Sequence, residues 1–331
     1  MPTTQHLKPN TDLLDSLPAG IRAGVRRDEP LWRYTTLRVG GPAERYYRAT
    51  DSSSFAEIIA AAQRLELPYF VLGGGSNVCI SDRGIRGLVV HNECRRCEIG
   101  EITRVDAGYS FMKLFLDSAR NSLSGLEFAV GIPGSVGGAM VSNAGAYRQN
   151  ICDLVVNIDV VEGGERQTVP PDWMGFSYRD SRLRRPGGPP ATIVAVTLKL
   201  EKKPRVEILS RARDNQRQRI FKQPWYPSAG SFFKNVYSRT LAQELPDLPA
   251  PMKEAGVVPS GYLSGACGCK GLTIGGAQIS RRHANFVVNR GHATATDIQK
   301  LTGIVKQRVL ERFGVELEEE VLYVGDWSEK E

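Results

Sequence analysis

The hydrophobic pattern of the first third of the chain alternates between strands and helices. Residues 45–50 (RYYRAT) predict a strand, and Ser53 is the expected N-cap of an alanine-rich amphipathic helix that runs to Glu66. The run YFVLGGG then predicts a strand that enters a loop. Further strands are expected at residues 87–90 and around 102–105, and a helix near residues 110–122. The alternation predicts an α/β domain in this part of the chain.

Between Leu154 and Leu200 the pattern changes to paired strands. The segments LVVNIDVVEG and TIVAVTLKL are strand-like, and a loop rich in Pro, Gly and Arg at residues 182–190 separates them, which favours antiparallel pairing. Residues 205–220 have a helical pattern, and the turn-rich run QPWYPSAG after them indicates a domain boundary. The remaining residues predict a strand at 285–288, a helix from about Thr296 to Phe313 ended by Gly314, and a final strand through Leu322.

Length and composition limit the class of protein. A chain of 331 residues is longer than one hydrophobic core requires, so two or three domains are expected. No apolar stretch approaches the roughly 20 residues that span a bilayer, so no membrane partner is expected. The start of the sequence, MPTTQHLKPNTDLLDSLPAG, has neither the apolar core nor the cleavage site of a secretory signal. The expected location is therefore the cytoplasm.

The chain is basic, with 43 Lys and Arg against 36 Asp and Glu and a net charge of +7. Such an excess can serve nucleic acid, an anionic surface or a polyanionic small molecule. The basic residues come as scattered doublets, such as Arg184 with Arg185 and Arg281 with Arg282, without the runs of a nucleic-acid face. We therefore expect small anionic ligands and no nucleic-acid partner. The chain is also expected to be a monomer, although the charge pattern does not bear on this.

The six cysteines are too few for a disulfide scaffold and are expected to be free thiols. Cys94 and Cys97, with His91 nearby, and the pair Cys267 and Cys269 could in principle form a zinc site. The pairs lie far apart in the sequence, and C-x-C is a poor spacing for structural zinc. Free cysteines are the better interpretation, and no metal site is predicted.

Two glycine-rich runs are the candidate cofactor loops. The first, LGGGSN, follows a predicted strand and would let backbone N–H groups approach a phosphate, although it matches neither the Rossmann nor the P-loop motif and could be only a tight turn. The second, residues 125–147, is almost uncharged and is expected to be enclosed, with backbone groups that a flavin could satisfy. A packed glycine-rich helix and loop is the alternative. The candidate residues are Gly73, Gly74, Gly75, Ser76, Asn77, Gly131, Ile132, Pro133, Gly134, Ser135, Gly138, Asn143, Ala144 and Gly145.

In order and spacing, these runs resemble the UDP-N-acetylenolpyruvoylglucosamine reductase family. Further matching motifs are TTLRVGG (35–41), YRDS (178–181), PSAGSFFKN (227–235), IGGAQISRRHANFVVNRG (274–291) and LEEEVLYVG (317–325), so that the resemblance covers most of residues 35–325. It implies a two-part FAD-binding domain of the vanillyl-alcohol-oxidase type and a smaller α+β substrate-binding domain. It also implies an enzyme in which NADPH reduces FAD, and the flavin then reduces UDP-N-acetylglucosamine enolpyruvate to UDP-N-acetylmuramate for peptidoglycan synthesis.

The resemblance also implies domain boundaries and the way in which FAD is bound. The expected parts are a mobile segment at 1–30, an FAD-binding domain at 31–205 with subdomains of about 31–95 and 96–205, a substrate-binding domain at 206–314, and a C-terminal strand at 315–331 that returns to the flavin site. The extra tyrosine-bearing loop of the longer subtype is absent from the sequence, which resembles the shorter subtype. FAD is expected to be bound non-covalently. Cys79 is the one residue close enough to a glycine-rich loop to suggest covalent attachment instead.

Three residues match the catalytic residues of the family. Arg179 would stabilise the developing enolate, Ser231 would donate the proton, and Glu320 would assist Arg179. The alternatives are a surface ion pair of Arg179 with Asp180, a turn role for Ser231, and an exposed acidic edge for Glu320. The two-residue period of a strand puts Glu320 on the same face as the apolar Leu322 and Val324, next to buried residues. The candidate substrate contacts are Tyr178, Lys222, Asn235 and Arg217, with Arg219 a second arginine for the UDP diphosphate.

Other functions share parts of this pattern. An FAD oxidase or dehydrogenase for an alcohol or sugar would keep the fold, and a non-catalytic nucleotide-binding protein would keep only the scaffold. The joint presence of Arg179, Ser231 and Glu320 favours the reductase. His283 matches no catalytic histidine and is expected to be packed or exposed. The glycine- and cysteine-rich segment at 260–271 departs from the family's apolar helix.

Overall fold

The computed structural model describes residues 17–185, 187 and 190–328, except for the side chain of Lys222. The helices are α1 (Ala19–Ala23), α2 (Ser52–Arg64), α3 (Phe111–Arg120), α4 (Val136–Val141), α5 (Arg205–Lys222), α6 (Arg239–Glu244), α7 (Ala250–Ala255), α8 (Ser260–Ala266) and α9 (Ala295–Phe313). Short 3₁₀ turns lie at Leu31–Tyr34, Glu127–Ala129, Ile151–Leu154 and Pro171–Met174.

The strands are β1 (Arg26–Pro30), β2 (Pro42–Ala49), β3 (Tyr69–Leu72), β4 (Val78–Ile80), β5 (Ile85–Asn92), β6 (Cys97–Glu98), β7 (Ile102–Asp106), β8 (Leu123–Ser124), β9 (Gly145–Ala146), β10 (Gln149–Asn150), β11 (Val155–Glu162), β12 (Glu165–Val169), β13 (Ala191–Lys199), β14 (Glu201–Lys202), β15 (Ser228–Ser231), β16 (Val236–Tyr237), β17 (Val257–Val258), β18 (Thr273–Ile274), β19 (Ala277–Ile279), β20 (Phe286–Asn289) and β21 (Leu322–Val324). Contacts group them into two compact units.

The chain crosses between the two units several times. The first unit contains the described residues of Met1–Glu29, Ala43–Gly75 and Ile85–Arg219. The second contains the described residues of Pro30–Pro42, Ser76–Gly84 and Ile220–Glu331. The boundaries that the sequence suggested were continuous segments, whereas each unit here is discontinuous.

The first unit holds two larger sheets and two two-stranded pairs, β9 with β10 and β8 with β14. The four-stranded sheet has the order β1-β2-β5-β3, with β5 parallel to both β2 and β3. Helix α2 contributes the fully buried Phe55, Ile58 and Ile59 to the core beside this sheet. Its N-cap is Asp51, whose carboxylate accepts a hydrogen bond from Ser54 N at 2.8 Å, so the prediction of Ser53 as the cap is wrong. Both residues lie in one polar run, and the carboxylate occupies the cap position.

The second sheet of this unit is antiparallel, in the order β12-β11-β13-β7-β6. Strands β11 and β13 pair antiparallel, for example Ile158 with Val196, which confirms the pairing predicted from the sequence. Residues 17–30, expected to be mobile, contain α1 and β1, and this expectation is corrected for them. The residues before 17 lie outside the described part of the chain.

The second unit is built on an antiparallel sheet of order β15-β20-β19-β18. The long helix α9 contributes the buried Ile298, Leu301 and Val305 to its core, and it ends at Gly314, whose φ of 66° suits a residue without a side chain. A separate pair, β4 with β21, is parallel. None of the helices in the described part of the chain combines the length and apolar character needed to cross a bilayer.

Candidate active site

In the first unit the two glycine-rich loops approach each other closely. A Cβ atom on Gly74 would lie 2.7 Å from the Cα of Gly134, and one on Gly73 would collide with Ser135 Oγ. Ser135 is the N-cap of α4, and its Oγ accepts a hydrogen bond from Gly138 N at 3.2 Å. The contact at Gly74 requires glycine, because the neighbouring atoms are backbone and a side chain would separate the loops. A side chain at 73 would instead displace the Ser135 hydroxyl from its cap position.

The second loop is less enclosed than its composition suggested. Gly131, Pro133 and Gly138 are exposed, so the expectation that nearly all of residues 125–147 is enclosed is wrong. The loop is nevertheless anchored, because Phe111 N donates to Gly134 O at 3.0 Å and Val136 N donates to Tyr109 O at 2.8 Å. It therefore presents accessible main chain from a fixed position.

Arg179 lies against the end of this loop. Its guanidinium donates to Asn143 O at 3.4 Å and to Gly145 O, and it stacks over the ring of Tyr178 at 5.4 Å from the centroid. The φ of Arg179 is +53°, a backbone conformation that costs a residue with a side chain about 1–3 kcal/mol and is often found at functional sites. The structure thus brings Arg179 and Tyr178 together with the predicted cofactor residues Asn143 and Gly145.

A second guanidinium, that of Arg219, reaches the same region. Its Nη1 donates to Gly131 O at 3.3 Å, and the group lies 5.9 Å from the ring centroid of Tyr147. The Nε atom is buried and has no hydrogen-bond partner among the described residues. The pKa of Arg219 is lowered, first by burial and also by the charge of Arg179. Arg217, two residues earlier on α5, is exposed.

These residues fit a ligand that carries both phosphate groups and an N–H edge. Asn143 Nδ2 donates to Ser177 O at 2.9 Å, but the buried Oδ1 has no partner among the described residues and could accept a ligand N–H. Exposed glycine main chain can approach a diphosphate without obstruction, and the two guanidinium groups favour an anion. FAD satisfies each requirement.

In the second unit Ser231 and Glu320 lie on neighbouring segments. Ser231 is the last residue of β15 and is paired with Phe286. Glu320 N donates to Phe232 O at 2.8 Å, so the residue after Ser231 is hydrogen-bonded directly to Glu320. Both Ser231 and Glu320 are half-buried.

Glu320 is held from its other side by Asn77. The Nδ2 atom of Asn77 donates to Glu320 O at 3.0 Å, and Leu322 N donates to Asn77 O at 3.0 Å. Ser76 lies beside Asn77 at the start of the same segment. Glu320 lies in a bend before β21, and the β-bridge to Phe233 is formed by Glu319. The period-two argument that placed Glu320 on the face of Leu322 is therefore wrong, since the strand begins after it.

The other predicted substrate contacts are only partly located. Asn235 is half-buried and follows Lys234, whose N donates to Glu318 O at 2.9 Å and whose ammonium pairs with the Glu318 carboxylate. The side chain of Lys222 lies outside the described residues. Cys79 is fully buried in β4, and burial raises the pKa of its thiol far above the usual range, which makes it a poor anchor for a flavin.

Sequence reasoning missed Asn285 as a residue that holds the site. It is buried, its main-chain O accepts from Phe232 N at 2.7 Å, and its side chain bonds to Phe233. The signal was a polar residue immediately before the apolar run of β20, because a buried amide requires partners.

Comparison with known proteins agrees with the geometry. Residues 43–168 match the family described as FAD binding domain, and residues 222–324 match the UDP-N-acetylenolpyruvoylglucosamine reductase, C-terminal domain. The chain is 37% identical over 325 residues to the UDP-N-acetylenolpyruvoylglucosamine reductase of Agathobacter rectalis, covering 92% of this chain and 95% of the relative. It is also 37% identical to that of Moorella thermoacetica, covering 96% and 98%.

A solved structure is similar over nearly the whole chain. The crystal structure of UDP-N-acetylenolpyruvylglucosamine reductase from Thermus caldophilus aligns with a TM-score of 0.71 and 34% identity, covering 90% of this chain and 97% of the other. Fold and site together define an FAD-dependent oxidoreductase. The chain belongs to the UDP-N-acetylenolpyruvoylglucosamine reductase family. The fold class and the family resemblance stated from the sequence are confirmed.

Proposed function

We propose that this chain reduces UDP-N-acetylglucosamine enolpyruvate to UDP-N-acetylmuramate, with NADPH as the reductant and FAD as the bound cofactor. The observation that carries the proposal is the hydrogen bond from Glu320 N to Phe232 O. It holds Glu320 beside Ser231 in the unit that matches the reductase C-terminal domain. The reaction supplies a peptidoglycan precursor in the cytoplasm and thereby supports cell shape and division.

FAD would be held by the main chain of the two glycine-rich loops. Gly73 to Asn77 and Gly131 to Ser135 offer N–H groups to the diphosphate, with Gly138 on the exposed side of α4. Asn143 Oδ1, with Ala144 and Gly145 beside it, is available to an N–H edge. Once bound there, FAD would supply hydride transfer, from NADPH to the methylene carbon of the enolpyruvyl group.

Arg179 and Glu320 act on the charge that this addition creates. Negative charge develops on the neighbouring carbon and its carboxylate, and the fixed donors of the Arg179 guanidinium stabilise it. Arg179 is already oriented for this role by Asn143 O and Gly145 O. Glu320 assists Arg179, and its place is fixed through its own main chain by Phe232 and Asn77.

Ser231 completes the reaction by donating its hydroxyl proton to the carbon that carries the developing charge. The proton goes to the carbon next to the one that receives the hydride, which yields the lactyl ether. Tyr178, Lys222 and Asn235 are proposed substrate contacts. Of the two arginines expected at the UDP diphosphate, the contact of Arg219 with Gly131 O favours Arg219 over the exposed Arg217. The enzyme is proposed to act as a monomer.

Anaerobic absorbance of the holoprotein tests the proposal. NADPH should bleach the flavin band, and UDP-N-acetylglucosamine enolpyruvate should restore it. Ser231→Ala should still bleach with NADPH but return more slowly by about a hundredfold or more, because only the second half-reaction needs the proton. Ser228→Ala, in the same strand, is the matched control and should behave as the wild type.

Either of two results would overturn the proposal. Absence of flavin from the purified protein would remove its basis. A flavin that oxygen reoxidises but the enolpyruvyl substrate does not would instead assign the chain to FAD oxidases.

A further inference from the structure

A buried histidine lies directly beneath the first glycine-rich loop. His91 is paired with Leu72 in the parallel ladder of β5 and β3, one residue before Gly73. His91 is 7% exposed, and Tyr46 is 0% exposed. The Tyr46 hydroxyl and His91 Nδ1 are 2.7 Å apart, with the rings edge to face at 5.9 Å.

His91 also forms a hydrogen bond with the main chain of Gly73. Because Nδ1 faces the Tyr46 hydroxyl, we assign this bond to the other ring nitrogen, Nε2. The bond raises the pKa of His91, as a hydrogen bond donated by the ring does. The main-chain group of Gly73 that accepts it is therefore the carbonyl. A neutral imidazole has one donor and one acceptor, and burial keeps this ring neutral by lowering the pKa of His91. Nδ1 therefore accepts from the Tyr46 hydroxyl, and Nε2–H donates to Gly73 O.

This bond sets the direction of the next peptide N–H. In a planar trans peptide the C=O and the following N–H point in opposite directions. A ring that draws Gly73 O towards the sheet consequently turns Gly74 N–H away from it. Gly74 is the exposed member of the three loop glycines.

Packing alone does not account for the pair. The residues that precede His91 on β5, Leu88, Val89 and Val90, are buried and apolar. Another apolar side chain would fill the space without the cost of burying an imidazole and a phenol. The satisfied chain from Tyr46 through His91 to Gly73 offsets that cost and fixes one peptide orientation.

We propose that His91, oriented by Tyr46, is a positioning residue for FAD: it fixes the Gly73 carbonyl so that the Gly74 N–H faces the diphosphate. The inference rests on the proposed role of residues 73–77 in binding FAD. His91 touches neither substrate nor cofactor in this assignment and acts through the loop alone.

Dissociation of FAD from the holoprotein provides the test, followed by the rise in flavin fluorescence on dilution. His91→Leu removes the donor and should raise the dissociation constant by about tenfold, the effect of one lost hydrogen bond. His91→Gln keeps an N–H donor and should restore binding to within about threefold of the wild type. The exposed His292→Leu is the matched control and should leave the constant unchanged.

Tyr46→Phe adds a variant that keeps the ring and removes only the hydroxyl. It should weaken FAD binding by about threefold to tenfold, because His91 loses the partner that fixes its tautomer. The melting temperature of each variant without FAD separates positioning from folding. The inference would be overturned if FAD binding weakened in step with the melting temperature and the His91→Gln variant bound FAD no better than His91→Leu.

The same experiment distinguishes this inference from the proposed function. If the wild type holds no FAD, the proposed function fails as well. If the wild type binds FAD and restores the flavin band with substrate, while His91→Leu binds FAD as tightly, only the role of His91 is refuted.

Discussion

The side-chain amide of Asn285 forms a pair of hydrogen bonds with the main chain of Phe233. Its Oδ1 accepts from Phe233 N at 2.9 Å, and its Nδ2 donates to Phe233 O at 2.8 Å. Asn285 O also accepts from Phe232 N. One buried residue thus fixes both peptide groups that follow Ser231 and, through Phe232 O, the position of Glu320.

Asn285→Ala should reduce both stability and turnover. It leaves a buried N–H and C=O of Phe233 without partners, which costs about 2–4 kcal/mol in the free energy of unfolding. Because Ser231 and Glu320 both shift, kcat should fall more than KM rises. Urea unfolding and steady-state kinetics check this, with the exposed Gln299→Ala as control. Normal kcat in a destabilised variant would show that Asn285 serves folding only.

Gly74→Ala should abolish tight FAD binding. The added Cβ would lie 2.7 Å from Gly134 Cα, and because that neighbour is backbone, the two loops must separate. The expected rise in the FAD dissociation constant is on the order of a hundredfold, the effect of about 3 kcal/mol of strain. Gly20→Ala, where no atom lies within 4 Å of the new Cβ, should bind FAD normally. Equal FAD content in the two variants would contradict the prediction.

Arg219→Gln and Arg217→Gln should differ, although the residues are two positions apart. Arg219 is half-buried, with its Nε buried and its Nη1 bonded to Gly131 O, whereas Arg217 is exposed. Loss of Arg219 should weaken binding of the anionic ligands by about tenfold or more, since a desolvated charge-assisted bond contributes about 1.5–3 kcal/mol. The Arg217 variant should change little. Titration of both variants with the UDP substrate decides, and a larger effect at Arg217 would reverse the assignment.

Acid should destabilise the protein partly through His91. Burial lowers the pKa of His91 below its ordinary value of 6.5, so as pH falls through 6.5 the unfolded chain takes up a proton that the folded chain does not. In that window the free energy of unfolding decreases by up to about 1.4 kcal/mol per pH unit. Other charged groups around His91 and Tyr46 modulate the effect. They are Glu93, Arg48, Arg95 and Arg26.

Urea unfolding of the FAD-free protein at pH 7.5 and 5.5 measures this loss. Carboxylates also titrate, so the informative quantity is the difference between the wild type and His91→Gln. The wild type should lose more stability on acidification than the variant. Equal losses would show that the ring is already protonated when folded.

The cysteines should differ in their reaction with an alkylating reagent. Cys79 and Cys94 are fully buried, and burial raises the pKa of Cys94 to about 12 and that of Cys79 further. Cys267 is half-buried, and Arg308 and Arg312 partly counter the effect of burial on its pKa. Mass spectrometry at pH 8 should find Cys267 modified before Cys79 and Cys94. Early modification of Cys79 would mean that β4 opens in the native protein.

The long periodic elements were predictable from the sequence. The helix expected from about Thr296 to Phe313 is α9, Ala295–Phe313, because its apolar positions repeat at helical spacing and Gly314 ends it. Strands β11 and β13 were equally clear from their β-branched runs. These features depend on local chemistry that one sequence contains.

The details of the site depend on contacts that local patterns do not contain. Arg217 and Arg219 lie about 200° apart around α5, and the sequence alone does not say which of the two faces the glycine loop. The acidic run at 316–320 looks like part of a strand, yet the bridge to Phe233 falls on Glu319 and leaves Glu320 in a bend. Tyr46 and His91 are distant in sequence, and only the register of β2 and β5 brings them together.

The pairing of β4 with β21 has a consequence for how the chain folds. Val78 pairs with Leu322, so β4 cannot form this pairing during synthesis until most of the polypeptide has been made. The second unit, which also needs residues 30–42, is therefore rich in non-local contacts, and such contacts slow folding because long loops must close first. Until that pairing forms, the short apolar strand β4 is exposed. Chaperone binding or aggregation during expression should therefore begin at β4.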